Sequence, residues 1–244
     1  MNKTSDEITK MVINAYNNTV NEYIEYYKSE LQSFELEFNR EIDYLIKNTK
    51  NNASILDAGT SIGMYPRQLT EKCDKNFDVI GIDLSENMLK NAIKIAPKAK
   101  FQQMDIRNMN FNGKKFDLII CFATLNHMDD ETCLKILNSF NELLNDNGRI
   151  AINVMEYNGG KKELYIKEPL NPLYDNYFNR YTKHFFLEFF NNKNYTIEKI
   201  FDNKTLEEPI LGVGAELAGT NQFSVIAKKK LVKELKDKGE IKIW

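Results

Sequence analysis

Three aspartates stand at the ends of predicted strands, and two glycines accompany the first of them. Asp57 begins the segment DAGTSIG at 57–63, Asp83 follows the run VIGI, and Asp105 follows Met104. Glycine allows a backbone to turn sharply and to approach a ligand, because it has no Cβ. A carboxylate beside such a turn repels an anionic group and attracts a cationic one. The pattern therefore predicts a loop that binds a cationic small molecule.

The glycine spacing separates this loop from the loop of dinucleotide-binding proteins. Those loops read GxGxxG and hold an anionic pyrophosphate at a helix N-terminus. Here three residues separate Gly59 from Gly63, and Asp57 precedes both. An acid at the end of a second strand, such as Asp83, accepts hydrogen bonds from ribose hydroxyls in nicotinamide and adenosyl sites alike. A nicotinamide-dependent oxidoreductase is therefore disfavoured, and it stays as an alternative.

A sheet is needed to bring these acids to one edge. Strands are predicted for five segments, at 54–56, 78–82, 100–104, 116–122 and 149–155. Helices are predicted between them, at 65–72, 85–96 and 129–145. This alternation predicts a doubly wound α/β fold with a parallel sheet. Ligands bind outside the carboxyl ends of the strands in such sheets, and that is where the three aspartates stand.

The flanking segments complete a single predicted domain over residues 1–244. Apolar residues recur at helical spacing over 5–47, so residues 1–50 are predicted to form a helical cap on the cofactor-binding core at 51–155. Residues 156–182 contain two adjacent glycines and two prolines. That composition predicts an irregular, substrate-side insertion that forms a lid.

The C-terminal third is predicted to close the sheet. Residues 183–227 carry a helical pattern at 183–191 and two strand patterns at 195–201 and 222–227, and a charged tail follows at 228–244. The complete sheet is therefore expected to have seven strands, mostly parallel, with the last one antiparallel. Loop flexibility is expected between the last two strands, at Gly212, Gly214 and Gly219.

The composition points away from nucleic acid, membranes and metals. The net charge is −2 at pH 7, whereas a duplex-binding domain usually has a basic face and a high pI. No run approaches the ~18 apolar residues of a membrane span, and the N-terminus shows no secretory signal. Cys73, Cys121 and Cys133 have no metal-binding spacing. We therefore expect a cytoplasmic protein without a metal, as a monomer or homodimer.

Taken in order, the motifs resemble the class I (Rossmann-like) S-adenosylmethionine-dependent methyltransferase family, most of all its small-molecule branch. The resemblance covers residues 53–155. It is carried by DAGTSIG at 57–63, GIDLS at 81–85, Asp105, FDLII at 116–120, LNH at 125–127, and Leu144 followed by Gly148. The branch that methylates nucleic-acid amino groups has a Pro-Pro-Tyr type motif after the fourth strand. Residues 122–125 read FATL instead, so a small-molecule acceptor is expected.

The resemblance implies that S-adenosylmethionine is the cofactor and gives the matching residues their roles. The implied cofactor-binding residues are Asp57, Gly59, Thr60, Ser61, Gly63, Asp83, Leu84, Met88, Asp105, Ile106, Cys121 and Phe122. The loop would surround the methionine portion, Asp83 would bind the ribose, and Asp105 would accept from the adenine amino group. His127 would lie near the reacting centre, as a lining residue or a general base. Expected substrate-side residues are Tyr16, Tyr23, Asn126, Arg180 and Tyr181.

The reaction implied is methyl transfer from S-adenosylmethionine to a nitrogen or oxygen of a small-molecule acceptor. Arg180 could hold a carboxylate or phosphate of that acceptor, although a surface arginine is the structural alternative. Asp105 could equally cap a helix, and the tyrosines could pack helices together. Ser61 stands where the family usually has a glycine. A non-catalytic cofactor-binding or scaffold protein is therefore a further alternative.

Overall fold

The computed structural model describes residues 3–28, 38–203, 217 and 220–231. A seven-stranded sheet in the order β3-β2-β1-β4-β5-β9-β8 forms its centre. The nine strands are β1 (Ser54–Ala58), β2 (Asp78–Asp83), β3 (Lys100–Gln103), β4 (Phe116–Phe122), β5 (Leu144–Met155), β6 (Glu163–Glu168), β7 (Asn171–Asn179), β8 (Tyr195–Asn203) and β9 (Gln222–Lys229). β6 and β7 pair with each other outside the main sheet.

Helices flank both faces of the sheet. Those of the described chain are α1 (Ser5–Asn18), α2 (Val20–Tyr26), α3 (Asn39–Asn48), α4 (Met64–Glu71), α5 (Glu86–Ile95), α6 (Asp130–Leu143) and α7 (Lys183–Asn192). Two 3-10 helices, Ile106–Asn108 and Leu125–His127, follow β3 and β4. Ser85 and Asp129 cap the helices that follow them, since each side chain accepts a hydrogen bond from a first-turn N–H.

The strand directions confirm the predicted topology. β1 is parallel to β2 and to β4, and β4 is parallel to β5. β9 is antiparallel to both β5 and β8. The carboxyl ends of β1, β2 and β4 therefore meet at one edge, and the chain reverses there between strands and helices.

The core has a layer on each face of the sheet. Ile136 and Phe140 of α6 pack with Phe186 and Phe190 of α7 on one face. Side chains of α3 and α4 pack against β1 and β4 on the other, through Ile42, Leu45, Leu69, Ile55 and Leu118. β4 lies between the two layers and is almost wholly buried, as its continuous apolar run requires.

Two segments differ from the sequence-based predictions. The N-terminal helix is interrupted at Thr19, whose hydroxyl donates to the Ala15 carbonyl at 2.9 Å, so α1 and α2 are separate helices. β5 begins at Leu144, five residues before the predicted start, and α6 ends at Leu143 instead of continuing to 145. Asn147, with φ 62°, carries the chain through the irregular first part of β5.

The largest correction concerns residues 156–182, for which an irregular insertion was predicted. They contain an antiparallel hairpin, β6–β7, in which side chains of β6 alternate between exposed and buried. Leu164 and Ile166 fill the buried positions and pack with Phe178 and Leu217. A lid function for this hairpin stays a prediction. Residues 29–37, the loop with Gly212, Gly214 and Gly219, and the tail at 232–244 lie outside the described residues.

Candidate functional site

The glycine loop leaves β1 at the carboxyl edge and folds back onto β2. The N–H groups of Gly59 and Thr60 both donate to the Ile82 carbonyl at 2.9 Å. Gly59 has φ 82°, and a Cβ there would lie 2.0 Å from the Thr124 hydroxyl oxygen. Only glycine satisfies both the left-handed backbone and this close approach. The tight turn holds the loop open on its outer side, where a ligand can contact its backbone.

Ser61 takes the place of a glycine and is also in the left-handed region, with φ 50°. Its N–H donates to one carboxylate oxygen of Asp83 at 2.9 Å, and the Ser85 N–H donates to the other at 2.8 Å. Burial raises the pKa of Asp83, while these N–H donors act in the opposite direction. The serine is therefore compatible with the loop geometry, and its backbone fixes the carboxylate expected to bind ribose.

Asp57 lies beneath the loop and is 1% exposed. Its carboxylate accepts a hydrogen bond from the Thr60 hydroxyl at 2.6 Å. Burial raises the pKa of Asp57 to about 7; the Thr60 hydrogen bond opposes the shift, and the charge of Asp83 adds to it. A carboxyl that titrates near neutrality responds strongly to a nearby cation, because a positive charge favours its ionised form.

A cavity lies between the carboxyl edge of the sheet and the helices α1 and α2. Its lining includes most of the residues predicted to touch cofactor or substrate, namely Tyr16, Tyr23, Gly59, Thr60, Ser61, Asp83, Leu84, Met88, Ile106, Phe122 and His127. Other residues of the lining were not predicted from the sequence, among them Thr9, Val12, Ile13, Tyr27, Met104 and Thr124. The i, i+3, i+4 spacing of Thr9, Val12 and Ile13 could have marked them as one helix face.

Two hydrogen bonds orient the His127 ring, and one of them connects it to Tyr16 of α1. Its Nδ1 lies 2.8 Å from the Tyr177 carbonyl, and its Nε2 lies 2.7 Å from the Tyr16 hydroxyl. A carbonyl can only accept, so Nδ1 carries the proton and Nε2 accepts from Tyr16. Burial lowers the pKa of His127 to about 4. The imidazole is therefore neutral at pH 7, and Tyr16 is its proton donor.

Asp105 takes up a different arrangement from the expected one. It is not among the residues that line the cavity. Its two carboxylate oxygens share the Arg107 Nε–H, and one of them also accepts from Nη2 at 2.7 Å. The carboxylate also caps the 3-10 helix that follows. Arg107 also bridges to Asp6 of α1 at 2.8 Å. Asp105 thus belongs to an ion-pair network with Arg107 and Asp6, while the neighbouring Ile106 lines the cavity.

The other predicted residues that do not line the cavity have contacts elsewhere in the fold. Cys121 is fully buried in the sheet core, and Gly63, with φ 82°, begins α4. Asn126 accepts from the Met155 N–H at 2.8 Å, and the Tyr181 hydroxyl donates to the Leu125 and Met128 carbonyls. Both side chains thereby fix the segment that presents His127. Arg180, directly after β7, does not line the cavity.

Within the described residues, no cluster of three or more His, Cys, Asp or Glu side chains is arranged to hold a metal ion. None of the described helices is long and apolar enough to cross a membrane. The three thiols at Cys73, Cys121 and Cys133 are free.

Comparison with known proteins relates one segment of the chain to a protein family. Residues 55–148 match the family model described as a methyltransferase domain. That segment contains the glycine loop and the carboxyl edge from β1 to the start of β5. Residues 55–148 are therefore similar to a methyltransferase domain, and the match covers less than half of the chain.

Two curated proteins are similar to part of this chain. An uncharacterized protein of Methanocaldococcus jannaschii is 30% identical over 132 residues, which cover 53% of this chain and 52% of that protein. Phosphoethanolamine N-methyltransferase 1 of Arabidopsis thaliana is 31% identical over 109 residues, 43% of this chain and 21% of that protein. The match thus spans about half or less of these relatives.

Among solved structures, magnesium protoporphyrin IX methyltransferase from Synechocystis PCC 6803 with bound S-adenosylmethionine superposes with a TM-score of 0.64. It is 15% identical, and the alignment covers 94% of this chain and 100% of that one. At this identity the similarity establishes the fold.

Proposed function

We propose that this protein transfers a methyl group from S-adenosylmethionine to a nitrogen or oxygen of a small-molecule acceptor. One observation carries the proposal: the cavity is lined by the glycine loop and Asp83 together with Tyr16 and His127. A cofactor loop and a possible proton acceptor thus share one enclosed space. The methyltransferase domain over 55–148 supports S-adenosylmethionine as the cofactor.

The residues present fit that cofactor. The turn at Gly59 leaves no room for a side chain, so the loop backbone itself would contact the ligand. Asp83 is held by two N–H donors at the cavity wall and would bind the ribose hydroxyls, and buried Asp57 would favour the positive charge. When bound, the cofactor supplies an electrophilic methyl group on a sulfonium and leaves as S-adenosylhomocysteine.

The protein contributes orientation, exclusion of water and a route for a proton. α1 crosses the site and is held at both ends, by Asp6 with Arg107 and by Asn17 with Ser85. The Tyr16 hydroxyl can accept a proton from an acceptor while it passes its own to His127 Nε2, with which it is already hydrogen-bonded. In this proposal Tyr16 and His127 act as one unit.

Binding and transfer assays test the proposal. S-adenosylhomocysteine should bind the purified chain, and Asp83→Ala should weaken that binding by about 1–3 kcal/mol, because a charged hydrogen-bond acceptor is lost. Radiolabelled methyl transfer over a metabolite panel should then reveal an acceptor. Tight binding of NAD without binding of S-adenosylhomocysteine would favour the oxidoreductase alternative, and intact cofactor binding without transfer would favour a scaffold.

The β6–β7 hairpin fits a lid in this proposal, because Asn171 at the start of β7 donates to Glu22 of α2 at 2.8 Å. We retain a cytoplasmic location and a monomer or homodimer as expectations. The three free thiols support a reducing compartment.

A further inference from the structure

The wall of the cavity formed by α1 and α2 is aromatic. The rings of Tyr16 and Tyr23 are 5.6 Å apart in an edge-to-face arrangement, and those of Tyr23 and Tyr27 are 5.8 Å apart. Phe122 packs edge-to-face with both Phe38 and Tyr65 at 5.3 Å. All six residues line the cavity. Aromatic faces carry negative electrostatic potential and attract cations.

Positive side chains are missing from this lining. Among the described residues no lysine or arginine lines the cavity, and the one carboxylate that does is Asp83. Arg107 follows the lining residue Ile106, but its guanidinium pairs with Asp105 and Asp6. The described lining would thus offer an anionic acceptor no positively charged partner, and the nearby acids would repel it.

A buried carboxylate adds to the negative potential behind the tyrosines. Glu168, at the end of β6, is 1% exposed. One of its oxygens accepts from the Asn176 amide at 2.6 Å, and the other from the Leu170 N–H at 3.4 Å. Burial raises the pKa of Glu168, and these two donors oppose that shift. When Glu168 is ionised, its charge raises the pKa of Tyr16 in the cavity wall, although burial is the larger cause of that shift.

We propose that the acceptor is an amine with an apolar or aromatic body, selected by the tyrosine wall and by the charge of Glu168. Acceptors with a carboxylate or phosphate are excluded. This inference rests on the proposed function and narrows its acceptor. It replaces the expectation that Arg180 holds an acidic group, because Arg180 does not line the cavity.

Calorimetry on protein saturated with S-adenosylhomocysteine tests the selection with size-matched probes. 2-Phenylethylamine, 2-phenylethanol, 3-phenylpropionate and 2-phenylethyl phosphate differ mainly in charge. The amine should bind about tenfold or more tightly than either anion, because the field of nearby charges is weakly screened in a buried site. Equal or tighter binding of an anion, or no binding by any probe, overturns the inference.

Two variants separate a local effect from net charge. Glu168→Gln keeps the shape and should lower the affinity for the amine about fivefold, while the affinity for 2-phenylethanol stays unchanged. Glu131→Gln removes a charge from an 80% exposed side chain on α6 and should change neither affinity. Equal amine affinity in wild type and Glu168→Gln removes Glu168 from the inference. If Glu168→Gln does not fold, the wild-type probes decide alone.

The same titrations distinguish this inference from the proposed function. Failure of S-adenosylhomocysteine to bind rejects the cofactor and the acceptor class together. Normal cofactor binding with a preference for anionic probes rejects the acceptor class alone and leaves methyl transfer in place.

Discussion

Burial lowers the pKa of His127 and raises the pKa of Asp57, the two ionisable groups that the next predictions concern. His127 is held neutral, with its pKa lowered to about 4, because a buried imidazolium loses solvation. Asp57 is held near its titration point, with its pKa raised to about 7 by the same cause. Near neutral pH His127 is therefore a neutral hydrogen-bond acceptor, and Asp57 can lose a proton when a cation arrives.

The raised pKa of Asp57 predicts a pH-dependent affinity for the cofactor. A ligand with an ammonium group favours ionised Asp57, so binding below pH 7 releases a proton. The affinity for S-adenosylhomocysteine should rise about tenfold from pH 6 to pH 8 and level off above, as Asp57 becomes ionised before binding. Calorimetry in buffers of different ionisation enthalpy measures both the affinity and the proton release. Asp57→Asn should show a flat profile, and a flat wild-type profile contradicts the prediction.

The Tyr16–His127 pair predicts a separation of binding from turnover. Tyr16→Phe removes the hydroxyl that lies 2.7 Å from His127 Nε2 and keeps the ring. With the acceptor found in the metabolite screen, turnover should fall about 10²-fold, a typical effect of losing acid–base assistance. Binding of S-adenosylhomocysteine should change less than twofold. Tyr65→Phe, whose ring also lines the cavity, is the matched control. Equal loss in both variants would indicate packing instead of proton transfer.

Helices and strands depend on buried polar links that join distant parts of the chain. Glu41 of α3 is fully buried, and one carboxylate oxygen accepts from the Asn203 amide of β8 at 2.7 Å and from the Ser224 hydroxyl of β9 at 2.8 Å. Ser224 also accepts from Asn153 of β5. This network fixes α3 against the antiparallel side of the sheet, and α3 leads from Phe38 in the cavity wall.

The network predicts that Glu41→Ala lowers the free energy of unfolding much more than Glu41→Gln does. Glu41→Ala leaves the buried Ser224 hydroxyl and one N–H of the half-buried Asn203 amide without their acceptor, and it should lower the free energy of unfolding by about 3 kcal/mol. Glu41→Gln keeps an acceptor oxygen for both and should cost less than about 1 kcal/mol. Urea unfolding monitored by circular dichroism measures the difference. Similar losses in the two variants would mean that the charge itself matters more than the acceptor geometry.

The sequence predicts elements well where one rule dominates. The run at 116–122 became β4 with the predicted bounds, because its continuous apolar pattern admits only a buried strand. The β6–β7 hairpin was missed because Pro169, Pro172 and adjacent glycines suggested irregular chain, whereas cross-strand pairing of Leu164 with Phe178 decides the local structure. Tertiary contacts of that kind have no local signal.

Across the whole molecule, the sequence predicts which strand ends lie together, but it does not predict which side chains form ion pairs or hydrogen bonds with each other. The sequence predicts that Asp57 and Asp83 lie near each other, and the parallel pairing of β1 with β2 brings the carboxyl ends of these two strands together. Asp105 satisfied the same rule and yet belongs to an ion pair with Arg107. Tyr16 and His127 are 111 residues apart in sequence. Their hydrogen bond depends on how α1 crosses the sheet edge, which no spacing rule encodes.

Because the cavity lies between the sheet edge and α1–α2, ligand binding should stabilise the whole domain and order the cap most. At a concentration 100 times its dissociation constant, S-adenosylhomocysteine should raise the free energy of unfolding by about 2.7 kcal/mol. Hydrogen exchange should slow in α1 and α2, whose residues line the cavity, and change little in β8, none of whose described residues do. Asp83→Ala at the same ligand concentration supplies the control, since weaker binding should reduce both effects together. Stabilisation without slower exchange in α1 would mean that the ligand binds without engaging the cap, and Tyr16 would then lie outside the working site.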